Sequence, residues 1–449
     1  MNKNVGLYIS DSKSTRGYTE ILSKVQKYMS QNYSELLSND DENNQAQMYS
    51  YIRQYLTKQK LCVESLTTEQ LINRLYSDMA EYSFLTKYLN FTVGDVEGIE
   101  INSWDNVNIK KSDGTIETGE NFYSPDHARN VLTRLLSKSK IPMDNAKPLV
   151  RGHLNNNIRI TVNGGGGTLD ESVGIAASIR FVNPSNLTKE DLIAFGTATD
   201  EMLDCLCTLY RYGVSMLLAG ETDAGKTTII SIIMRIVPYD KKLYTIENGT
   251  REFDLRKRDK SGKIINNVVH TITKESDDPK LAITQQMLLE HGMTMNPDFI
   301  CMAEVKGSEA FETIEAALTG HPVIGTTHTF SAEEIHDRLV QLASLKGSGL
   351  SDKTLYSMAV KAFPIVFFAE KMEDGVRRIT EICECSLVED KPVYTTLFQY
   401  AVERNETVNG ETIIHGHFQK LHPISEHLQN RLLKKGIPED ALQKLLEVC

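Results

Sequence analysis

The stretch that most constrains this chain is MLLAGETDAGKTTIISII, from Met216 to Ile233. Within it GETDAGKT, Gly220 to Thr227, satisfies the phosphate-loop pattern G-x-x-x-x-G-K-[ST]. An apolar run, Ser215 to Ala219, precedes it as a buried strand does, and a helix-compatible run follows. Strand, glycine turn and helix in that order predict a cradle of inward-pointing backbone N–H groups at the positive end of a helix. Gly220, Glu221, Thr222, Asp223, Ala224, Gly225, Lys226, Thr227 and Thr228 are the expected nucleotide-contacting residues. Lys226 is expected to reach the outer phosphates of ATP, and Thr227 to offer its hydroxyl to Mg2+.

Phosphate binding alone does not hydrolyse ATP; a group must hold the metal and another must orient water. Downstream, apolar runs alternate with helical ones: LYTIE, FICMAE, PVIGTTH and PIVFFAE. That alternation predicts a parallel sheet in an α/β, RecA-like domain. Ligands of such sheets sit at the carboxyl ends of the strands. Glu304 closes FICMAE and is the expected Mg2+ carboxylate, while Glu247 closes LYTIE and is expected to polarise water. His321 and His328 flank the fourth run and are expected to sense the terminal phosphate or hold the acids.

Upstream of the loop the chain changes character twice. Residues 1–80 read as a helical extension, with Tyr18, Ile21, Leu22, Val25, Tyr28 and Met29 at helical spacing and a solvated linker from Ser38 to Gln47. Residues 81–185 read as a small α+β, PAS-like domain. There Val96 to Gly119 alternates as a hairpin turning at Ser112-Asp113-Gly114, and Ser124 caps a helix that Pro125 opens. The strands IRITVNG and GIAASIRF follow, joined through Gly164 to Gly167, and NPSNLTKEDLIAFG reads as a linker. Residues 186–449 are the expected ATPase domain, in which Lys434 and Lys435 close a helix before Gly436 and Pro438 opens another.

At 449 residues two or three domains are expected, and a net charge of −11 argues against nucleic acid as a direct partner. No run approaches the ~18 apolar residues of a membrane span, and the first residues lack the apolar core of a signal peptide, so a cytoplasmic location is expected. The seven cysteines form no C-x-x-C pair, and buried, reduced thiols are expected.

The boxes occur in a telling order: the P-loop, TIENGTREF, PDFICMAEVKGSEA and TGHPVIGTTHT. Together they resemble the type II/IV secretion ATPases. The preceding DNAKPLVRGHLNNNIRITVNG and SIRF, with the later DGVRRITEICE and TTLFQY, are similar to the CpaF/TadA subfamily, which drives Flp-type pili. The resemblance implies a homohexamer, peripheral at the inner face of the membrane, that pushes on inner-membrane platform proteins of a pilus or secretion system. It also implies that Arg159 and Arg180 approach the nucleotide from the N-terminal domain.

Several positions depart from that pattern. Asn248 stands where a second acid is usual, and Lys306 where arginine is common. His270, Lys274, Glu290, Thr294 and Asn296 fall near positions where relatives carry arginines, including trans-acting fingers. Arg251, Arg256 and Arg258 are candidate replacements, although the basic run REFDLRKRDKSGK also reads as a solvated hairpin loop. A conjugation-type secretion ATPase, or a nucleotide-binding scaffold with little turnover, are the competing expectations.

Overall fold

The computed structural model describes residues 12–33, 42–90, 96–111, 114–139, 141–155, 158–181, 187–249, 251–274, 276, 278, 280–408 and 410–447. They fall into two compact units, Met1–Val182 and Asn183–Cys449.

In the first unit, α1 (Ser12–Asn32), α2 (Glu42–Gln59) and α3 (Thr68–Ala80) share one core. Tyr18, Ile21, Leu22, Val25 and Met29 are buried there, as helical spacing predicts. Tyr28 is only half-buried and stacks on Tyr55 with ring centroids 4.3 Å apart. Glu42 to Gln47 belong to α2 and not to a linker, while Ser38 to Asp41 lie outside the described residues. Gln45 to Gln47 are exposed, which is why this part of α2 is polar; its buried positions, Met48, Ile52 and Leu56, come later. Thr67 and Gln70 form a reciprocal capping box that starts α3.

After the short α4 (Leu85–Leu89), the chain builds β1 (Val96–Ser103), β2 (Asn106–Lys111), β3 (Ile116–Thr118), α5 (Pro125–Lys138), β4 (Leu149–Asn155), β5 (Ile158–Asn163) and β6 (Ala176–Phe181). The strands form an antiparallel sheet of order β3-β2-β1-β6-β5-β4. The expected single hairpin is thus three strands. An extra turn falls at Trp104-Asp105, between β1 and β2, and Ser112 and Asp113 lie outside the described residues. Strand β4 is too polar to show an alternating pattern and escapes the sequence reading. Helix α5 starts where expected: the Ser124 hydroxyl accepts the His127 amide at 3.1 Å, and Pro125 is the first helical residue. Its Val131, Leu132 and Leu135 pack in one core with Ile99, Ile160 and Ile179 of the sheet.

The second unit contains α6 (Lys189–Ala194), α7 (Asp200–Arg211), β7 (Met216–Ala219), α8 (Lys226–Met234), β8 (Leu243–Glu247), β9 (Val268–Ile272), α9 (Gln285–Met293), β10 (Phe299–Met302), α10 (Glu309–Leu318), β11 (Val323–Thr327), α11 (Glu334–Ser344), α12 (Asp352–Ala362), β12 (Ile365–Lys371), β13 (Arg377–Val388), β14 (Lys391–Val408), β15 (Glu411–Lys420), α13 (Glu426–Lys434) and α14 (Glu439–Leu446). The sheet order is β15-β14-β13-β12-β7-β11-β10-β8-β9. From β12 to β9 neighbouring strands are parallel, and β13 to β15 extend the sheet antiparallel. The P-loop strand β7 lies between β11 and β12, which is the RecA-like arrangement. All four expected strands are present and almost wholly buried, as continuous apolar runs require.

Two parts of this unit depart from expectation. Residues 189–194 of the expected linker are helix α6, nucleated by a Thr188–Asp191 capping box and anchored by buried Leu192. Strand β9 is half-buried at the sheet edge, so its VVHTI lacks the apolar run of a central strand. Cys205, Cys207, Cys301, Cys383 and Cys385 are buried; Cys62 is exposed, contrary to expectation, and Cys449 lies outside the described residues. Among the described residues no helix is long and apolar enough to cross a membrane.

A buried histidine makes this unit acid-sensitive. His336 on α11 is fully buried. Its Nε2 donates to the Phe363 carbonyl at 2.9 Å and its Nδ1 accepts from the Tyr394 hydroxyl at 2.9 Å. Burial pushes its pKa down from 6.5 to about 4. The unfolded chain therefore binds the extra proton first, so stability is complete above pH ~6.5 and falls as pH drops toward ~4. Urea titrations should show a loss approaching about 3 kcal/mol across that window, and His336→Gln should flatten the dependence.

Candidate nucleotide site

The parallel register brings the carboxyl ends of the strands level. Ala219 pairs with Thr327, and Met302 pairs with both Gly325 and Ile246. One or two residues further along each strand come Gly220, His328, Glu304 and Glu247, so one sheet edge collects the loop, a histidine and two acids.

The P-loop is shaped by its backbone. A Cβ on Gly220 would lie 1.9 Å from the Ala369 carbonyl oxygen, so only glycine fits. Gly225, at φ +81°, opens α8 and supplies no side-chain cap. The helix therefore starts without a side-chain cap among the described residues, at the end of the helix dipole that favours anions. Between them Asp223 adopts φ 64°, unusual for a non-glycine residue. The Arg377 Nε, from the start of β13, donates to its carbonyl at 2.7 Å. Glu221, Thr222 and Asp223 are exposed at the crown, Ala224 is buried beneath it, and Thr228 lies half-buried on α8.

Lys226 folds back on this loop, donating to the carbonyls of Gly220 at 2.8 Å and Glu221 at 2.7 Å. Its Nζ is 3.5 Å from Nδ1 of His328, whose Nε2 is 3.2 Å from Glu304 Oε1. Lysine only donates, so Nδ1 accepts and the ring proton sits on Nε2, facing the carboxylate. Glu304 Oε2 is in turn 3.3 Å from Lys306 Nζ. Lysine, histidine, carboxylate and lysine form one half-exposed polar chain beside the loop.

Thr227 donates its hydroxyl to Glu252 at 3.0 Å. The carboxylate in contact with the expected metal-binding hydroxyl is therefore Glu252, and Glu304 joins the cluster through His328. Sequence reading passed over Glu252 because it is not at a strand end. The usable signal was the alternation after the acidic box: Phe253 and Leu255 are buried, which turns Glu252 and Asp254 outward.

Glu247 is not placed to polarise water. It is fully buried. One oxygen accepts from the Thr245 hydroxyl at 2.9 Å and lies 3.2 Å from His270 Nδ1; the other accepts the amides of Glu252 and Phe253. One carboxylate oxygen is thus tied to the strands β8 and β9, and the other holds the loop that carries Glu252. His321 is likewise not brought to the cluster. It precedes β11, where its Nδ1 donates to the Pro297 carbonyl at 3.1 Å. The extended segment from His321 to His328 spans about 20 Å and puts the two histidines at opposite ends of β11.

The basic run forms a hairpin loop: Arg258 bridges to Ile264 and donates to the Gly262 carbonyl at 2.7 Å. Arg256 is 3.7 Å from Asp254, and the Nε of Arg251 is buried with no hydrogen-bond partner among the described residues. Arg159 and Arg180 lie in the first unit, directly paired across β5 and β6. Their strand neighbours Ile158, Ile160 and Ile179 face the core, so both arginines occupy the opposite sheet face.

These residues fit ATP with Mg2+: uncapped helix amides and a lysine for phosphate oxygens, a hydroxyl and a carboxylate for a hard cation.

Residues 125–420 match the family described as type II/IV secretion system protein. The chain is 32% identical over 149 residues to an uncharacterized protein of Methanocaldococcus jannaschii, covering 33% of this chain and 52% of that one. Against the protein VirB11 of Agrobacterium fabrum it is 28% identical over 156 residues, covering 34% and 43%. The chain thus spans about half the length of these curated relatives. The X-ray structure of the Legionella pneumophila ATPase DotB superposes with a TM-score of 0.46 at 15% identity, covering 78% of this chain and 82% of that one.

Proposed function

Since the chain belongs to the type II/IV secretion system protein family, we propose that it is an ATP-hydrolysing motor of a secretion or pilus assembly system, converting ATP and water to ADP and phosphate. The observation that carries the reading is the convergence on one phosphate loop of Thr227–Glu252 and Lys226–His328–Glu304.

Each residue has a defined task. Lys226 exchanges its two loop carbonyls for phosphate oxygens. Thr227, with the Glu252 carboxylate behind it, would hold the Mg2+ that accompanies ATP, which would supply charge neutralisation at those oxygens. Glu252 accepts the proton of the attacking water. His328 links the state of Lys226 to Glu304, so arrival or loss of the terminal phosphate re-sorts that polar chain. The proposed domains are the α+β domain, 81–185, and the ATPase domain, 186–449.

In its finer form the proposal is a CpaF/TadA-type motor for Flp-type pili. It works as a homohexamer in the cytoplasm, against inner-membrane platform proteins. DNAKPLVRGHLNNNIRITVNG and DGVRRITEICE support that subfamily. Prepilin and prepilin-peptidase genes beside this one would agree with it; a relaxase and a coupling protein would favour a conjugation-type system.

The test is steady-state ATPase activity followed across a gel-filtration profile. Lys226→Ala is expected to lower kcat/KM by ~10²-fold or more, the effect of deleting one preorganised donor to a charged transition state. Turnover unaltered by that substitution would sink the reading, and tight ATP binding without turnover would favour a scaffold.

A further inference from the structure

We propose that His270 is a positioning residue for hydrolysis, acting through the backbone of the loop that carries Glu252; this rests on the ATPase reading above. Strand β9 pairs in parallel with β8 so that His270 stands beside Thr245. The imidazole is 3% exposed. Its Nδ1 is 2.8 Å from the Thr245 hydroxyl and 3.2 Å from Glu247 Oε1, and its Nε2 is 3.4 Å from the Leu255 amide nitrogen. That amide can only donate, so Nε2 carries no proton and Nδ1–H points at Thr245 and Glu247.

The ring therefore spans two jobs that no single-purpose side chain performs. One nitrogen orients the buried carboxylate, and the other receives an amide of the loop. Glu247 takes the amides of Glu252 and Phe253; His270 takes that of Leu255. Residues 251–257 belong to no strand, so two side chains of β8 and β9 replace the ladder that would otherwise fix their position. What they fix is the place of the Glu252 carboxylate, 3.0 Å from the Thr227 hydroxyl. Lysine or arginine at 270 would supply donors to Glu247 but no acceptor for Leu255.

His270→Asn keeps a donor near the Nδ1 position and removes the Nε2 acceptor. It is expected to lower kcat by ~10- to ~100-fold, as small misplacements of catalytic groups do, with ATP affinity unchanged. In a Glu252→Gln background the same substitution should add almost nothing, because both act on one group. Peptides covering 248–256 should also lose protection from hydrogen exchange in His270→Asn.

Full turnover in His270→Asn, or a loss that multiplies that of Glu252→Gln, would overturn the proposal. Weakened ATP binding with unchanged kcat would overturn it too, as would unchanged exchange over 248–256. If the wild-type protein and Lys226→Ala are equally inactive, the ATPase reading itself fails, and the exchange experiment alone then decides whether His270 holds the loop.

Discussion

Glu252→Gln is expected to lower kcat by ~10²- to ~10⁴-fold, the range for losing a general base, with nucleotide affinity and thermal stability near wild type. Glutamine keeps the shape of the side chain and can still accept from Thr227, so the loop keeps its place. What it loses is the capacity to take a proton. Glu252 is half-buried and accepts from the Thr227 hydroxyl, whereas Glu247 and His270 take the loop amides of Glu252, Phe253 and Leu255, which is why stability should be spared. The measurement is single-turnover hydrolysis beside equilibrium binding of ATP. A variant that still turns over at the wild-type rate would remove Glu252 from the chemistry and return the question to Glu304, linked to Lys226 by His328.

Glu247→Ala is expected to do the reverse in kind. The carboxylate is fully buried and satisfies the amides of Glu252 and Phe253, the Thr245 hydroxyl and His270. Truncating it strands these groups away from water, and breaking such a buried network costs about 3 kcal/mol or more. Urea unfolding should show this as a lower midpoint at an unchanged slope. Activity should fall as well, because the loop is no longer pinned, and Glu247→Gln should recover part of both. Were Glu247→Ala to abolish turnover with stability untouched, the roles of the two glutamates would have to be exchanged.

The contrast between these two acids shows where sequence reading works and where it stops. Strand tips are visible as the ends of apolar runs: Glu247 is the last residue of β8, and Glu304 follows the end of β10 by two residues. Being at a tip does not say which way a carboxylate turns. Glu247 turns inward because two loop amides and a histidine claim its oxygens. Glu252 sits in an irregular segment with no periodicity of its own, and only the path of Phe253 and Leu255 into the core presents it to Thr227. His321 looked like the equal of His328 because spacing alone cannot tell the two ends of a strand apart. Arg377 could not have been found at all: it meets Asp223 across 154 positions of chain, through the pairing of β12 with β7 and β13.

By itself the sequence determined the elements that need only local chemistry. The P-loop requires glycines at fixed offsets, the apolar runs require burial in a parallel sheet, and Ser124 with Pro125 requires a helix start. These are short-range demands of backbone conformation and hydrophobic burial, written in consecutive residues. The tertiary structure alone decided which acid faces the nucleotide loop, which histidine reaches Lys226, and that His270 at the sheet edge helps to hold the acid in place. Those outcomes depend on register between strands distant in sequence and on competition among buried groups for a limited set of hydrogen-bond partners, and no stretch of the chain encodes either one.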